Sequence, residues 1–299
     1  MYSYAAYGLT ISSSIALPGL PVCPLPCKSP ADVVIQRGRV GGVPTLSDSI
    51  SGGDDFRVTP PGIFLFWRDI ATIFASYAGG IIIEPASGTN GRLLRSIIVG
   101  HGIPVVLFLK GRFVMHASAV AVGRQVAVFM GNPGAGKSTL ALALCSFGHQ
   151  LVADDIVSVD LQDQTPLVYP AYPEINAWPE ALTALSYDPA AHEEVAPTAE
   201  KRIVSLQENW VPTPQPLHRI YMLERGETTR MEDLSPGDAF LALTHHSFHT
   251  KLHVGDENPV YFSQCVQLAR TIPMRRLTVA RSLEQMRAVA HRIELDVEH

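Results

Sequence analysis

The apolar positions up to about Gly111 come in short runs separated by Gly-Gly and Pro-Gly pairs. Such runs are typical of strands joined by turns, and they predict strands at VVIQ, IFLFW, IIIEP and PVVLFLK. The stretch Ile97–Leu109 contains glycine and proline, so it is predicted to be two short strands around a turn, too short to cross a bilayer. One helix is predicted around Gly91–Gly100. We therefore predict a mostly β N-terminal module over residues 1–112, for which the pattern indicates no function.

The pattern changes after this module. Gln125–Met130 is a continuous apolar run, as expected for a strand in a sheet covered on both faces. Lys137–Phe147 is apolar nearly all round, which predicts a buried helix, and Gly148 is placed to end it. A further apolar strand, Leu151–Ala153, closes on two aspartates. This succession predicts an α/β domain over residues 113–299, with its ligand edge at the strand ends.

The last part of the chain alternates again between strand and helix patterns. It predicts a strand at RIYMLERG, an acidic turn, a helical stretch, a strand at MRRLTV and a final helix over Leu283–Ile293. The segment Asp188–Lys201 is rich in alanine, proline and acidic residues, so we expect a mobile surface loop there.

Composition narrows the classes of protein. Of 299 residues, 46% are hydrophobic and 17% charged, which is enough to bury a sizeable core and argues against wholesale disorder. The net charge of −5 and the lack of basic runs argue against a nucleic-acid or membrane-surface partner. The opening residues lack the basic segment of a signal peptide, and the four cysteines are expected to be free thiols. We therefore expect a cytoplasmic protein.

A phosphate-binding motif follows the strand Gln125–Met130. The segment GNPGAGKS matches G-x-x-x-x-G-K-[ST] in full, and it lies between a buried strand and a buried helix, as this loop requires. Its glycines let backbone N–H groups surround an anion, and the helix start adds the positive end of its dipole. The predicted ATP- or GTP-binding residues are Gly131, Asn132, Pro133, Gly134, Ala135, Gly136, Lys137, Ser138 and Thr139.

Three further side chains could act on the bound phosphates. A carboxylate at the end of the next strand usually holds the Mg²⁺ of such a site, and Asp154 and Asp155 both lie there. One of them could bind the metal while the other acts as a base, although Asp154 could instead cap a helix or turn. His116 is either a core histidine or a catalytic one.

Together these motifs resemble a known family. HASAV at 116–120, GNPGAGKST at 131–139 and GHQLVADD at 148–155 are similar to the HPr kinase/phosphorylase family, which has a P-loop kinase core akin to phosphoenolpyruvate carboxykinase. His116 precedes Lys137 by 21 residues and Asp155 follows Ser138 by 17, the spacing expected of this family. The resemblance covers roughly residues 113–299 and implies the same α/β kinase core.

The resemblance also implies roles for single residues. Lys137 would bind phosphate, Asp155 would take the proton from a substrate serine hydroxyl, and His116 would lie near the transferred phosphoryl group. The Mg²⁺ ligands would include Ser138 and a glutamate after the second strand: Glu174 in AYPEIN, or Glu180 on spacing alone. The position of Asp154 at the strand end makes it the further candidate metal ligand. The family's cores often assemble as oligomers, so a homo-oligomer is expected.

The chain departs from the family in its first 110 residues and lacks recognisable segments for phosphorolysis, so neither HPr nor the reverse reaction is implied. Its C-terminal half contains the segments YPEINAWPEAL, EKRIV, PLHRIYMLERG, LTHHSF and IPMRRLTVARSLEQM. Through these it resembles instead a subgroup of shortened homologues, the kinases encoded beside lasso-peptide and related modified-peptide genes. Those phosphorylate a serine, typically the C-terminal one, of a ribosomal precursor peptide, and this is the expected partner. A small-alcohol kinase and a nucleotide-gated regulatory protein are the alternatives.

Two other groups of residues have open roles. Lys201 and Arg202 could clamp a phosphoryl group or a peptide carboxylate, or could be solvated loop charges. His245, His246, His249 and His253 resemble a metal cluster, but they lack the supporting carboxylate, so ordinary helix side chains are favoured over a zinc site.

Overall fold

The structure is a computed structural model of the full chain. It describes all residues except 25, 26, 28, 46–48, 54, 164, 197, 198, 249–258, 281–285 and 299. Within the described residues the chain is a mixed α/β protein built from two large sheets, a two-stranded ribbon and several helices.

The first sheet contains the strands of the N-terminal module. In the described part of the chain its strands are β1 (Tyr2–Ala6), β2 (Leu9–Ser13), β3 (Val33–Arg37), β4 (Ser51–Gly53), β5 (Phe56–Thr59), β6 (Gly62–Trp67), β7 (Ala71–Ser76) and β8 (Gly80–Pro85). They lie in the order β1-β2-β3-β8-β7-β6-β5-β4. Alternate residues of β7 are buried, which is the pattern of a sheet with one face on the core. The strands predicted at VVIQ, IFLFW and IIIEP are confirmed.

A long helix follows this sheet. It comprises α1 (Gly91–Ile97), a π-helical turn (Ile98–Gly102) and α2 (Ile103–Leu109). The Asn90 side chain accepts the N–H groups of Arg92 and Leu93 and so caps its start. The helix predicted around Gly91–Gly100 is confirmed.

The strands predicted within Ile97–Leu109 and at PVVLFLK are wrong, because this stretch is helical. An apolar run buried all round has the same pattern in a strand and in a core helix. Pro104 is tolerated because it lies in the first turn of α2, next to the irregular π turn. By length and composition Gly91–Leu109 could cross a membrane, but half of its most apolar window is buried inside the protein.

The second sheet holds most of the remaining strands. These are β9 (Phe113–Met115), β10 (Ala117–Val122), β11 (Gln125–Gly131), β12 (Gln150–Ala153), β13 (Val157–Asp160), β14 (Leu167–Tyr169), β17 (Gln215–Gly226), β18 (Arg230–Asp233) and β19 (Met274–Ala280), while β15 (Glu174–Ala177) and β16 (Arg202–Ser205) pair as the ribbon. The strand β11 lies between β10, antiparallel to it, and β17, parallel to it. The strand β12 is antiparallel to β10 on its other side. The C-terminal ends of β11, β12 and β17 and the start of β10 therefore meet at one edge.

Helices cover this sheet: α3 (Lys137–Ser146), α4 (Pro179–Ala184), α5 (Pro236–His246), α6 (Pro259–Thr271) and α7 (Met286–Val297). The buried helix after the Gly-rich loop is confirmed, and Gly148 follows its end with a φ of 101°. The strands predicted at Leu151–Ala153, RIYMLERG and MRRLTV are confirmed as well. The predicted acidic turn is wrong in part, because β18 forms there by pairing with β19. The final helix extends to Val297, and Leu283 is outside the described residues.

One hydrophobic cluster joins the two sheets. It contains Ile35 and Ile81 from the first sheet, Val105 from the helix, and Val128 and Ile220 from the second. The two predicted domains therefore share a core, and the division at residue 112 stays a prediction.

Candidate active site

The Gly-rich loop links β11 to α3. Its glycines Gly131, Gly134 and Gly136 have φ values of 150°, 80° and 105°, a region that favours glycine. At Gly131 a Cβ would lie 2.5 Å from the carbonyl oxygen of Leu223, so only glycine lets β11 approach β17 so closely. The backbone therefore has the form that a phosphate-cradling loop needs.

Lys137 begins α3 and its side chain is buried. Its Nζ donates hydrogen bonds to the carbonyl oxygens of Gly131 at 2.9 Å and Asn132 at 3.3 Å. The ammonium group thus lies within the loop, where it could exchange these carbonyls for the oxygens of a phosphate.

Asp154 lies in a buried polar pocket at the end of β12, with 3% of its surface exposed. Its Oδ1 accepts a 2.6 Å hydrogen bond from the Ser118 hydroxyl, its Oδ2 accepts the Asn176 N–H at 3.3 Å, and the Ser138 hydroxyl also donates to it. Burial raises the pKa of Asp154 above its ordinary value, against the lowering effect of these bonds. A buried carboxylate beside a loop serine is the donor pair that suits a hard divalent cation.

Asp155 has different surroundings. Its backbone lies in the left-handed region at a φ of 67°, and 40% of its side chain is exposed. His116, between β9 and β10, places its Nδ1 2.9 Å from the Asp155 carbonyl oxygen and 3.0 Å from Oδ1. Burial alone would raise the pKa of Asp155, but the His116 bond and the charges of His116, Lys201 and His101 lower it below its ordinary value. The carboxylate is therefore ionised at neutral pH and able to accept a proton.

The π turn of the long helix lies against this carboxylate. A Cβ on Gly100 would be 3.9 Å from Asp155 Oδ2. His101 packs edge-on against Trp67, with their ring centroids 4.9 Å apart. The N-terminal module thus reaches the edge where the candidate catalytic residues lie. A π turn at this position is in keeping with the frequent occurrence of such turns at functional sites.

A groove of about 500 Å³ opens beside Asp155. Its walls come from both halves of the chain: Leu17–Leu20, Arg92, Arg95, Ser96, Val99 and Gly100 on one side, and Asp155, Tyr172, Glu174, Asn176, 191–195, Ile203 and Ser205 on the other. The groove is therefore accessible to a ligand that also contacts Asp155.

Glu174 is the candidate metal glutamate that lines this groove. A Cβ on Gly19 would be 2.7 Å from its Oε2, so the side chain packs closely against the N-terminal module. Burial raises the pKa of Glu174, and the charge of Glu193 adds to the effect. Glu180 is exposed in the first turn of α4 and is absent from the groove lining.

Lys201 and Arg202 differ in their contacts. The Lys201 ammonium lies over the Trp178 ring at 5.6 Å, and its charge helps to lower the pKa of Asp155. Arg202 forms a 2.7 Å ion pair with Glu194. A clamping role for either stays a prediction, and Lys201 is the better placed of the two.

Comparison with known proteins adds a distant likeness. No family model matches the chain, and no curated protein does so. Among solved structures it is similar to the HPr(Ser) kinase/phosphatase from Coxiella burnetii, at 14% sequence identity and a TM-score of 0.35, over 61% of this chain and 92% of that one. A likeness this remote assigns no activity, so the function has to be inferred from the side chains themselves.

Arg225 is a site residue that the sequence patterns did not single out. It is exposed at the C-terminal end of β17, and its Nε donates a 2.9 Å hydrogen bond to the Gly134 carbonyl. Its guanidinium lies 3.7 Å from the position of a Cβ on Gly136. A cationic residue at the end of the strand parallel to β11 was the available signal, since such ends meet at the ligand edge.

The C-terminal end of α5 also lies against the candidate active site. Ser247 pairs with Met115, the neighbour of His116. Burial, helped by the charges of His245, Lys137 and His116, lowers the pKa of His246 to about 4. His249 and His253 lie outside the described residues. Within the described ranges no group of three or more His, Cys, Asp and Glu side chains could hold a metal ion.

Proposed function

We propose that this chain is an ATP-dependent kinase, with GTP as the alternative donor, that phosphorylates a serine hydroxyl of a peptide. The observation that carries the proposal is the contrast between two adjacent carboxylates. Asp154 is buried and bonded to the hydroxyls of Ser118 and Ser138, whereas Asp155 is half exposed, ionised and bonded to His116. The first arrangement suits a metal ligand and the second suits a base.

In this proposal the loop Gly131–Thr139 binds the triphosphate. Backbone N–H groups and the start of α3 surround the phosphates, and Lys137 neutralises their charge. Ser138 and Asp154 would hold Mg²⁺, which supplies charge neutralisation at the transferred phosphoryl group. Two protein oxygens are a usual number for Mg²⁺, which keeps waters and phosphate oxygens as its other ligands. Glu174 is the third ligand that the family resemblance suggests.

Asp155 accepts the proton of the acceptor hydroxyl as that oxygen attacks the γ-phosphorus, while the bond from the γ-phosphorus to the bridging oxygen breaks and ADP leaves. His116 orients the carboxylate through its Nδ1 contacts and keeps it ionised. Because the pKa of Asp155 is low, the proton moves to it late, after the bond to phosphorus has begun to form.

The groove supports a peptide rather than a small alcohol as acceptor. It runs past Asp155 and has a mixed lining of apolar, basic and acidic side chains, whereas a small alcohol would fit a closed pocket better. Following the subgroup that the sequence resembles, the proposed substrate is a ribosomal precursor peptide with a serine at its C-terminus, as in lasso-peptide tailoring.

The test is mass spectrometry of serine-terminated peptides incubated with the protein, Mg²⁺ and ATP. We expect one phosphoryl group to be gained, and the gain to fall about a hundredfold or more in Asp155→Asn. Asparagine tolerates the left-handed backbone, so this variant keeps the fold. Asp69→Asn is the matched control, since Asp69 is an exposed aspartate with a φ of 59° outside the groove lining. Unchanged transfer in Asp155→Asn would refute the mechanism, and no transfer to any peptide would refute the substrate class.

A further inference from the structure

We infer that Arg95 forms a carboxylate-binding subsite, supplied by the N-terminal module, which binds a carboxylate of the acceptor peptide near its serine. The inference rests on the proposed function, because it takes the groove beside Asp155 as the acceptor site. It gives residues 1–112 a part in substrate recognition.

The helix presents one face to the groove. Arg92, Arg95, Ser96, Val99 and Gly100 all line it, and they follow the three- and four-residue spacing of a single helix face. At one end of this face Gly100 approaches the Asp155 carboxylate. At the other end the face carries two arginines. The helix therefore runs from the proposed base to a cationic region.

The charged side chains that line the groove differ in whether they have a partner within the protein. Arg92 pairs with Glu193 at 3.2 Å, and Asp155 is bonded to His116. Glu194 is paired with Arg202. Among the described residues, no ion pair or side-chain hydrogen bond is found for Arg95, which is half-buried on the groove. Arg95 is thus the groove cation that remains available for an anion brought by the ligand.

The spacing along the helix limits where that anion can lie. Gly100 follows Arg95 by five positions, which is about 7.5 Å along the axis at the α-helical rise. Helix side chains lean towards the N-terminus, so the guanidinium lies no nearer to Asp155 than its own backbone does. An extended peptide advances about 3.3 Å per residue. A serine at Asp155 would therefore place an acidic side chain one to three residues away within reach of Arg95. A C-terminal carboxylate would be within reach where the chain ends one to three residues beyond the serine.

A carboxylate is the anion that fits best. Arginine binds it through two parallel N–H···O bonds, which give both affinity and orientation. The carboxylate could come from the C-terminus of the peptide or from an acidic side chain beside the serine. Both sources have the same chemistry, so the experiment has to separate them.

The experiment measures binding of labelled serine peptides to the full chain by fluorescence polarisation. In one peptide pair the chain ends two residues beyond the serine and its C-terminus is either free or amidated. In the other pair a Glu or a Gln lies two residues from the serine. We expect the protein to bind the charged member of one pair about tenfold more tightly, and the pair that responds identifies the source. In Arg95→Gln this preference should disappear, and Arg95→Lys should restore it only in part.

Arg124→Gln is the control, since Arg124 is an exposed arginine outside the groove, and it should keep the preference. Equal binding of charged and neutral peptides by the unmodified protein, or no binding of either, would overturn the subsite, as would a preference that survives in Arg95→Gln. Phosphoryl transfer to the same peptides is measured separately by mass spectrometry. If Arg95 governs binding but no peptide is phosphorylated, the subsite stands and the kinase proposal fails.

Discussion

The guanidinium of Arg225 donates a 2.9 Å hydrogen bond to the carbonyl of Gly134, at the tip of the Gly-rich loop. This contact joins the end of β17 to the loop that follows β11. It places a permanent positive charge next to the glycines that would surround phosphate oxygens, and it steadies a loop whose glycines are intrinsically free to move.

We therefore expect Arg225→Gln to weaken ATP binding by about tenfold or more, since a charge-assisted hydrogen bond contributes about 1.5–3 kcal/mol. Arg225→Lys should retain part of the affinity through its charge. Calorimetric titration with ATP and Mg²⁺ measures both. Arg230→Gln removes an exposed arginine of β18 and serves as the control. If Arg225→Gln binds ATP with unaltered affinity, the contact with Gly134 stabilises the loop without nucleotide and contributes nothing to nucleotide binding.

Loss of His116 should change the titration of Asp155. The His116 hydrogen bond and charge lower the pKa of Asp155, against the raising effect of burial. In His116→Ala the pKa of Asp155 should therefore rise. As the pH is lowered, any phosphoryl-transfer activity should then be lost at a higher pH than in the unmodified protein. Carboxyl-carbon NMR measures this pKa directly, with Asp155→Asn used to assign the signal. If the pKa of Asp155 stays low in His116→Ala, the charges of Lys201 and His101 are sufficient to keep it low without His116.

The stability of the protein should depend on pH through His246. Its pKa is lowered from 6.5 to about 4, so between these values the unfolded chain binds more protons than the folded one. Stability from this group is complete above pH 6.5 and is lost as the pH falls towards 4. Because the side chain is only half-buried, we expect a loss of about 1–2 kcal/mol after allowing for solvent screening. Urea unfolding at several pH values should show a smaller loss in His246→Gln, and an equal loss would contradict the assignment.

Asp296 should be important for stability. It is 10% exposed on α7, accepts a 2.6 Å hydrogen bond from Tyr221, and pairs with Arg219 at 2.7 Å and with Arg275. Asp296→Ala leaves the buried Arg219 without its carboxylate partner and Tyr221 without its acceptor, so the free energy of unfolding should fall by about 3–5 kcal/mol. Asp233, 80% exposed and paired with Arg275 at 2.8 Å, is the matched control. Asp233→Ala should cost less than about 1 kcal/mol in chemical denaturation.

Much of the structure of residues 113–299 could be predicted because its signals are local. A buried strand, a glycine loop and a buried helix leave few alternatives, and the structure has β11, the loop and α3 in those places. The stretch Ile97–Leu109 could not be assigned correctly. Its apolar run fits a strand and a core helix equally well, and only packing between the two sheets decides the outcome.

The residues of the candidate site likewise fall into those that the sequence could predict and those that it could not. The residues Lys137, Ser138, Asp154 and Asp155 lie in contiguous motifs, so the sequence could propose them, and the structure brings the last three to one edge with His116. Arg225, His101 and Arg95 come from distant segments and have no motif around them. Their positions follow from strand pairing and from the path of the long helix, which no local pattern contains.

The π turn Ile98–Gly102 sets the rotation of α1 against α2. Each helical residue turns the chain by about 100°, and a π turn holds one residue more than a regular turn. Removing a single residue there would leave a regular turn of nearly the same total rotation, so α1 and α2 would keep the faces that they present. Removing a residue between Arg95 and this turn would instead rotate the arginines of α1 by about 100°, away from the groove. A change of length by one residue, with no change in any catalytic side chain, would thus be enough to alter which acceptors are recognised, so the preference among acceptors could shift while the chemistry stays the same.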